Sequence, residues 1–406
     1  MNIAIIGNGI CGITAAKLLS ELSPKEKISV FTDEEYNYYP RPRLDHLLSE
    51  KIDLSQIFPY DDEWFKKRNI DVFLRNRISA IDVSSKKLIS EDGGRYDYDK
   101  MFLAQGSSPF TPPIDGIKNQ GVFTYRNIDD VLRIRAYARG KKKAVVIGGG
   151  LLGIETARAL SELGLKVTVV EFAPRLLPKQ LDEEGAQILK SQVEKFGIEV
   201  ILGITCDRIV SEGTKKCLLL KQIGQLESDI FILSTGIRPN VEPAKASGIV
   251  VNRGIVVDKY MRTNLEDIFA GGDCAEFNSV VYGIIPAAIE QAKAAASNIL
   301  GEPLEYKGTT FQVTLKVAGI DLTSVGTVNP GDEGYEEVKR KDEAKCIYRK
   351  VVIKDDKAVG AIVLGDKHGV AELTRIIDRK IDVSGKKDAL LADEAVLRET
   401  FLKQGG

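Results

Sequence analysis

The chain has 406 residues, enough for two or three domains at roughly 150 residues each. Its formal net charge of −1 implies no strong attraction to nucleic acid or to an anionic membrane surface. No apolar run reaches the roughly 18 residues of a membrane-spanning helix. Because the first residues already follow a strand pattern and lack signal-peptide features, we expect a cytoplasmic protein.

The five cysteines and two histidines argue against metal and hydrolase chemistry. No two cysteines have C-x-x-C spacing, so neither a disulfide framework nor a metal cluster is expected. His46 and His368 are too few for a His-based metal site or a Ser-His-Asp hydrolase, and each is expected to be a surface or packing residue. We therefore expect no bound metal.

The chain opens with an apolar strand, a glycine turn and the start of a helix. Gly7, Gly9 and Gly12 have the G-x-G-x-x-G spacing. In this pattern the first glycine permits a tight turn, the second lets a pyrophosphate approach the backbone, and the third lets the helix pack on the strand. Glu34 follows the next strand, about 20 residues after Gly12, where a carboxylate usually accepts the adenosine ribose hydroxyls.

Residues 36–44 form a loop rich in aromatic residues and proline. Arg41 and Arg43 offer planar donor groups suited to phosphate. A solvated proline-rich loop is the alternative interpretation. Because the loop directly follows the predicted ribose-binding strand, we favour a cofactor contact.

The same pattern recurs near the middle of the chain. Gly148, Gly150 and Gly153 follow an apolar strand, and the next predicted strand ends in Glu171. A carboxylate there repels a 2′-phosphate, so we expect NADH to be preferred to NADPH. A glycine-rich turn in some other α/β protein is the alternative. Two dinucleotide-binding units suggest FAD, held permanently, and NAD(H), which is exchanged.

Three further segments resemble the FAD-dependent pyridine-nucleotide oxidoreductases. Residues 104–109 are similar to the A-T-G-S-x-P segment that closes the first part of the FAD domain, with Gln105 in place of Thr. Residues 234–240 resemble the end of the NAD domain. Residues 263–273 resemble the strand ending in Gly-Asp, where Asp273 would hydrogen-bond the ribityl chain of FAD.

The resemblance implies further cofactor contacts. It assigns them to Gly106, Gly236 and Gly272, and to Ala288 in the first turn of an alanine-rich helix that faces the flavin. It also places Glu155 near the nicotinamide. Alternatively, Glu155 is a first-turn acid favoured by the helix dipole, and the alanine-rich helix simply packs on a sheet.

The fold implied is α/β, with two Rossmann-like dinucleotide-binding domains, for FAD and NAD, and a C-terminal α+β interface domain. The FAD domain would be split between residues 1–109 and 241–303, with the NAD domain at 110–240 and the interface domain at 306–406. Local patterns predict helices at 127–139, 181–196, 367–378 and 387–402, and strands at 215–222, 311–317, 322–328, 346–354 and 358–364.

The cysteine pattern indicates a branch of the family without a redox-active disulfide. Disulfide reductases carry closely spaced cysteines, and coenzyme A-disulfide reductases carry one cysteine in the loop after the first ribose acid. That loop here has none and is most similar to the loop of NADH:rubredoxin oxidoreductases. Ferredoxin reductases usually show R-P-P-L-S-K, from which Arg43 and His46 depart.

The resemblance therefore implies a flavoprotein, monomer or homodimer, that transfers electrons from NADH through FAD to a small redox protein such as rubredoxin. No side chain need act as a catalytic acid or base. The alternatives are a ferredoxin reductase, the flavin component of a nitrite reductase, an enzyme like NADH oxidase or coenzyme A-disulfide reductase, and a flavin- and NADH-binding signalling protein. Cys11 and Cys274 are the only candidates for a thiol relay, although small buried side chains explain both more simply.

Overall fold

The computed structural model describes residues 1–212, 215–221, 224–317, 319–331 and 333–402. It divides into two compact units. The first comprises Met1–Leu47, Ile52–Ser108 and Ile237–Thr309, and the second comprises Leu48–Lys51, Pro109–Gly236 and Thr310–Gly406. Within the described ranges, no helix has both the length and the apolar character needed to cross a membrane.

A parallel sheet forms the centre of the first unit. Its strands are almost continuously apolar, which is typical of parallel strands buried on both faces. On the central strand, Ile5 is paired with Val30 on one side and with Phe102 on the other. The strand order is Ile268–Ala270, Lys100–Leu103, Asn2–Ile6, Lys27–Phe31 and Ile70–Phe73.

Two helices, Ile10–Leu22 and Ile285–Ile299, pack together in this unit. Both bury small residues, including Gly12, Ala15 and Ala16 on the first helix and several alanines on the second, which lets their backbones approach closely. The antiparallel strands Ile78–Asp82, Lys87–Ser90 and Arg95–Asp97 form a small separate sheet. The shorter elements in this part of the chain are the strands Ser107–Pro109, Ile237–Pro239, Ile255–Val257 and Ala275–Phe277, the helices Leu44–Leu48 and Asp62–Lys67, and the 3-10 turns Arg41–Arg43, Leu54–Gln56, Lys245–Ser247 and Gly272–Cys274.

The second unit contains another parallel sheet of the same design. Val145 on its central strand is paired with Thr168 and with Phe231. The strand order is Glu199–Leu202, Lys166–Glu171, Lys143–Ile147, Ile230–Leu233 and Val122–Thr124, with helices Ile128–Ala138, Leu151–Glu162 and Glu183–Lys195. An antiparallel sheet of Cys206–Glu212, Lys215–Leu220 and Gly224–Glu227 accompanies it. The strand predicted at 215–222 therefore ends at Leu220, and Gln222 lies outside the described residues.

An antiparallel sheet, here called the C-terminal sheet, completes the second unit. Its order is Gln312–Val317, Ile320–Gly326, Lys357–Leu364, Ile347–Lys354 and Tyr335–Asp342. Helix Val370–Asp378 packs against it through Leu373 and Ile376. The α/β fold class, with two Rossmann-like sheets and a C-terminal α+β part, is thus confirmed.

One strand was missed by the sequence analysis, and one predicted helix was wrong. Strand Tyr335–Asp342 was not predicted, because most of its residues are charged; as an edge strand it is held by the backbone ladder to Ile347–Lys354. The helix predicted at 387–402 is interrupted. It consists of a 3-10 turn, a short α-helix and a π-helical end, because Ala392 is extended and Asp393 caps a new start by accepting the Val396 N–H at 3.1 Å.

Candidate functional site

The first glycines of the two predicted phosphate turns have the same geometry. Gly7 has a φ of 113° and Gly148 a φ of 116°, in the region that favours glycine. A Cβ on Gly7 would lie 2.1 Å from the carbonyl oxygen of Ala104, and one on Gly148 would lie 2.1 Å from that of Ser234. Both conformation and close approach to a neighbouring strand therefore require glycine at these two positions.

The second and third glycines of each G-x-G-x-x-G pattern differ in the space around them, and they do so in the same way in both turns. A Cβ on Gly12 or Gly153 would lie 1.9 Å from the carbonyl oxygen of the first glycine of its own turn. A Cβ on Gly9 or Gly150, in contrast, would meet no heavy atom of the described chain within 4 Å. Each turn thus has one open glycine between two that are tightly enclosed, and a ligand can reach the backbone at the open one.

Both helices that follow these turns begin without side-chain caps. Helices Ile10–Leu22 and Leu151–Glu162 have Gly9 and Gly150 as their N-cap residues, and neither has an acidic residue in its first turn. Their first N–H groups and the positive ends of their dipoles are therefore suited to an anionic ligand such as a pyrophosphate. Glu155 lies beyond the first turn, half-buried, so its alternative interpretation as a first-turn acid was wrong.

The predicted second ribose acid lies against its own glycine turn. Glu171 is the last residue of its strand, and its carboxylate accepts the backbone N–H groups of Gly149 at 2.5 Å and Ala173 at 2.7 Å. A Cβ on Gly149 would come within 3.0 Å of the Glu171 side chain. The acid and the glycine turn therefore form one compact structure at the carboxyl end of the sheet.

The predicted first ribose acid has side-chain partners. Glu34 accepts a hydrogen bond from the Tyr39 hydroxyl and pairs with the Arg41 guanidinium at 2.8 Å. Burial opposes the charge on Arg41, but Tyr39, Glu34 and Asp273 outweigh it and raise the pKa of the guanidinium. Of the two candidate arginines, Arg41 is the one that contacts Glu34. Arg43 is the last residue of the 3-10 turn Arg41–Arg43.

A second group of predicted residues meets near the helix Ile285–Ile299. Asp273 accepts a hydrogen bond from the Ser107 hydroxyl at 2.7 Å. Gly272, with a φ of 78°, donates its N–H to the Gln291 side chain at 2.8 Å, and a Cβ on it would lie 3.9 Å from the Cβ of Ala288. The structure thus brings together segments that are far apart in sequence.

Several residues of this region were not predicted as site residues. Asn8, between the first two glycines, has buried side-chain N and O atoms without a hydrogen-bond partner among the described residues. Since an unsatisfied buried polar group costs about 1–3 kcal/mol, these atoms fit a site completed by a polar ligand. Ser107 and Gln291 were also missed. A glutamine three residues after Ala288, on an otherwise alanine-rich buried face, is the signal that could have indicated Gln291.

Two further predicted glycines lie in turns of positive φ. Gly106 has a φ of 66°, and its carbonyl accepts the Asn240 N–H at 3.0 Å. Gly236 has a φ of 100°, and its carbonyl accepts the Phe110 N–H at 2.8 Å. Gln105, which replaces the usual Thr, donates its side-chain N–H to the carbonyl of Glu242 at 2.5 Å.

The two candidate relay thiols are unsuited to nucleophilic chemistry. Cys11 and Cys274 are both buried. Burial, with smaller contributions from Cys274 and Asp273, raises the pKa of Cys11 well above its usual value. Burial likewise raises the pKa of Cys274 to about 11. Because the thiolate is the reactive form, both residues are better explained as small packing residues.

A glycine turn, an uncapped helix and a carboxylate at or just after the end of the next strand, present twice in one chain, define a class of proteins that bind two dinucleotides. Residues 1–297 match the family model described as pyridine nucleotide-disulphide oxidoreductase. Residues 312–381 match the model described as the rubredoxin NAD+ reductase C-terminal domain. The chain belongs to the pyridine nucleotide-disulphide oxidoreductase family, which confirms the resemblance seen in the sequence.

Individual relatives differ in how much of their own length this chain covers. NADH-rubredoxin oxidoreductase of Clostridium acetobutylicum is 30% identical over 96% of this chain and 98% of its own length. A crystal structure of that oxidoreductase has a TM-score of 0.79 at 26% identity, covering 98% of this chain and 99% of the other. Nitrite reductase [NAD(P)H] of Bacillus subtilis is 35% identical over 94% of this chain but only 48% of its own length. The chain spans about half the length of this relative.

Proposed function

We propose that this chain is an FAD-dependent reductase that oxidises NADH and passes electrons to a small electron-carrier protein, of which rubredoxin is the favoured example. The observation that carries the proposal is the repeated turn, in which an open glycine and an uncapped helix occur twice, each with a carboxylate at or just after the end of the next strand. The likeness to NADH-rubredoxin oxidoreductase over nearly its whole length supports the choice of partner.

In this proposal residues 1–109 and 241–303 hold FAD. The open face of Gly9 and the uncapped helix after it receive the pyrophosphate, and Glu34 receives the adenosine ribose. The unsatisfied amide of Asn8 supports a ligand in this turn. When bound, FAD accepts a hydride from NADH and can release electrons singly, which suits a one-electron carrier. The proposed FAD contacts are Gly7, Gly9, Gly12, Glu34, Arg41, Arg43, Gly106, Gly272, Asp273 and Ala288.

Residues 110–240 are proposed to bind NADH, and residues 306–406 to form the interface domain, of which 318, 332 and 403–406 lie outside the described part. The chain orients NADH through the glycine turn and Glu171, whose carboxylate is already fixed by two backbone N–H groups. The proposed NADH contacts are Gly148, Gly150, Gly153, Glu155, Glu171 and Gly236. The cytoplasmic location and the monomeric or homodimeric state of the protein are still predictions.

Replacing Asp273 with Ala should strongly reduce the FAD retained on purification. The change removes a carboxylate that accepts the Ser107 hydroxyl and also contributes to the charge balance at Arg41. The measurement is the ratio of flavin released on denaturation to protein. Asp71→Ala is a matched control, because the Asp71 side chain forms a surface ion pair with Lys27 at 3.7 Å in the same unit. Equal flavin content in the two variants would exclude a role for Asp273 in FAD binding.

A variant with all five cysteines replaced by Ala or Ser should retain NADH-dependent reduction of ferricyanide. We expect this because the two cysteines near the proposed FAD site are buried and their thiols stay protonated. Rates are compared with wild type at equal FAD content. If NADH still reduces the flavin of this variant but ferricyanide is no longer reduced, a cysteine relays the electrons, and the disulfide or peroxidase branch of the family replaces the one proposed.

A second candidate function is the flavin component of a nitrite reductase. Its support is specific, since this chain is 30–35% identical to nitrite reductases while spanning only 40–48% of their length. In that case the electrons would pass to a redox centre carried elsewhere, and the same FAD and NADH residues would be used.

Turnover of NADH with rubredoxin, ferredoxin, ferricyanide and oxygen, assayed side by side, tests the proposal. We expect rubredoxin to be reduced faster than ferredoxin or oxygen. If ferricyanide is reduced but neither rubredoxin nor ferredoxin is, the nitrite reductase component is favoured. Oxygen as the fastest acceptor would favour an NADH oxidase, and binding of both nucleotides without any acceptor turnover would favour a signalling role.

A further inference from the structure

The loop at residues 172–181, here called the nucleotide loop, connects Glu171 to the helix Glu183–Lys195. It is hydrogen-bonded to the glycine turn as well as to the acid. Ala173 donates its N–H to the Glu171 carboxylate at 2.7 Å, and Leu177 donates its N–H to the carbonyl of Gly149 at 3.1 Å. The position of the glycine turn and its acid therefore depends on the conformation of this loop.

The C-terminal part of the same unit holds the far end of the nucleotide loop. Asn329, in the segment after strand Ile320–Gly326, donates its side-chain N–H to the carbonyls of Pro178 at 3.2 Å and Leu181 at 3.0 Å. Arg175, within the loop, donates to the same two carbonyls at 3.3 Å and 3.2 Å. Each of the two carbonyl oxygens thus accepts a hydrogen bond from Asn329 and another from Arg175, whose guanidinium helps to hold the loop.

The residue that ends the loop region is fixed by the C-terminal sheet as well. Asp182 caps helix Glu183–Lys195 by accepting the Gly185 N–H at 3.0 Å. The same carboxylate accepts the Tyr348 hydroxyl at 2.6 Å and pairs with Lys350 at 3.2 Å. Tyr348 and Lys350 are buried, so these contacts are shielded from water and hold the helix start firmly.

We propose that the C-terminal sheet and its connecting segment position the nucleotide loop for NADH, with Asn329 as the positioning residue. This inference rests on the proposed function, because it takes the turn at Gly149 and Glu171 as the adenosine side of the NADH site. The path is short: Asn329 binds the Pro178 carbonyl, and the adjacent Leu177 N–H binds the Gly149 carbonyl. Without Asn329 the loop keeps its hydrogen bonds from Arg175 but loses those to the C-terminal segment, so it is held less firmly before the nucleotide binds.

Calorimetric titration of the FAD-loaded full chain with ADP-ribose, which carries the adenosine and pyrophosphate but no nicotinamide, tests this role. Asn329→Ala should weaken ADP-ribose binding by roughly three- to tenfold, the effect of one or two lost hydrogen bonds. Asn329→Asp should weaken it further, since a carboxylate would face two carbonyl oxygens. For both variants KM for NADH should rise with ferricyanide as acceptor, while kcat stays unchanged.

Asn119→Ala is the matched control. Asn119 also donates its side-chain N–H twice within the same unit, to the carbonyl of Ile209 at 3.3 Å and the hydroxyl of Ser211 at 3.4 Å, away from the nucleotide loop. It should leave ADP-ribose binding unchanged. Equal binding by the Asn329→Ala and Asn119→Ala variants, with wild type binding normally, overturns the inference alone. A wild type that binds neither ADP-ribose nor NADH overturns the proposed function and this inference together.

Discussion

Replacing Gly12 with Ala is expected to destabilise the first unit sharply and to abolish FAD binding. The added Cβ would lie 1.9 Å from the carbonyl oxygen of Gly7 and 3.0 Å from its carbonyl carbon. Because both are backbone atoms, the helix Ile10–Leu22 must move away from the central strand, and overpacking of this kind costs about 1–3 kcal/mol or more. Thermal denaturation after removal of flavin, together with flavin content, measures both effects.

Gly9→Ala is the matched control for this substitution. Gly9 has a φ of −82°, which Ala adopts readily, and a Cβ there meets no heavy atom of the described chain within 4 Å. Its stability without flavin should therefore stay close to that of wild type, while FAD is retained poorly because the methyl group occupies the face proposed for the pyrophosphate. If the Gly12 variant without flavin were as stable as the Gly9 variant, the packing role of Gly12 would be wrong.

Replacing Glu171 with Gln should narrow the preference for NADH over NADPH by about tenfold or more. The carboxylate repels a 2′-phosphate at the adenosine ribose, and Gln has nearly the same size without the charge. The side-chain oxygen of Gln can still accept the Gly149 or Ala173 N–H, so the turn should keep its shape. The measurement is kcat/KM for each nucleotide with ferricyanide as acceptor.

Glu199→Gln removes a similar charge from the adjacent strand and serves as its control. Glu199 begins strand Glu199–Leu202 and accepts the Thr168 hydroxyl at 3.0 Å, so it belongs to the same sheet without touching the glycine turn. We expect its nucleotide preference to match wild type. Equal efficiency of wild type with NADH and NADPH would refute the assignment of Glu171 as the ribose acid.

The glycine turns could be predicted in detail from sequence because their geometry leaves little choice of residue. Gly7 and Gly148 need a positive φ, and a Cβ on Gly12 or Gly153 would lie 1.9 Å from a backbone carbonyl oxygen, so the glycine spacing specifies the backbone geometry. The carboxylate predicted from its distance along the chain, Glu171, also lies at its turn. These features depend on local backbone geometry, which can be inferred from a few neighbouring residues in the sequence.

Contacts between distant segments could not be predicted in the same way. The hydrogen bond of Ser107 to Asp273, and that of Asn329 to the nucleotide loop, join residues far apart in sequence and leave no periodic pattern. The choice of Arg41 over Arg43 as the partner of Glu34 depends on how a short 3-10 turn directs two side chains. Strand Tyr335–Asp342 was missed because an edge strand needs few apolar residues.

Anaerobic titration of the purified protein with NADH, followed by its visible spectrum, shows whether NADH reduces FAD held by this chain. We expect a yellow protein whose bound FAD is bleached by one equivalent of NADH and more slowly by NADPH, with no added protein required. A colourless folded protein that takes up no FAD, or a flavin spectrum that NADH leaves unchanged, would contradict this expectation.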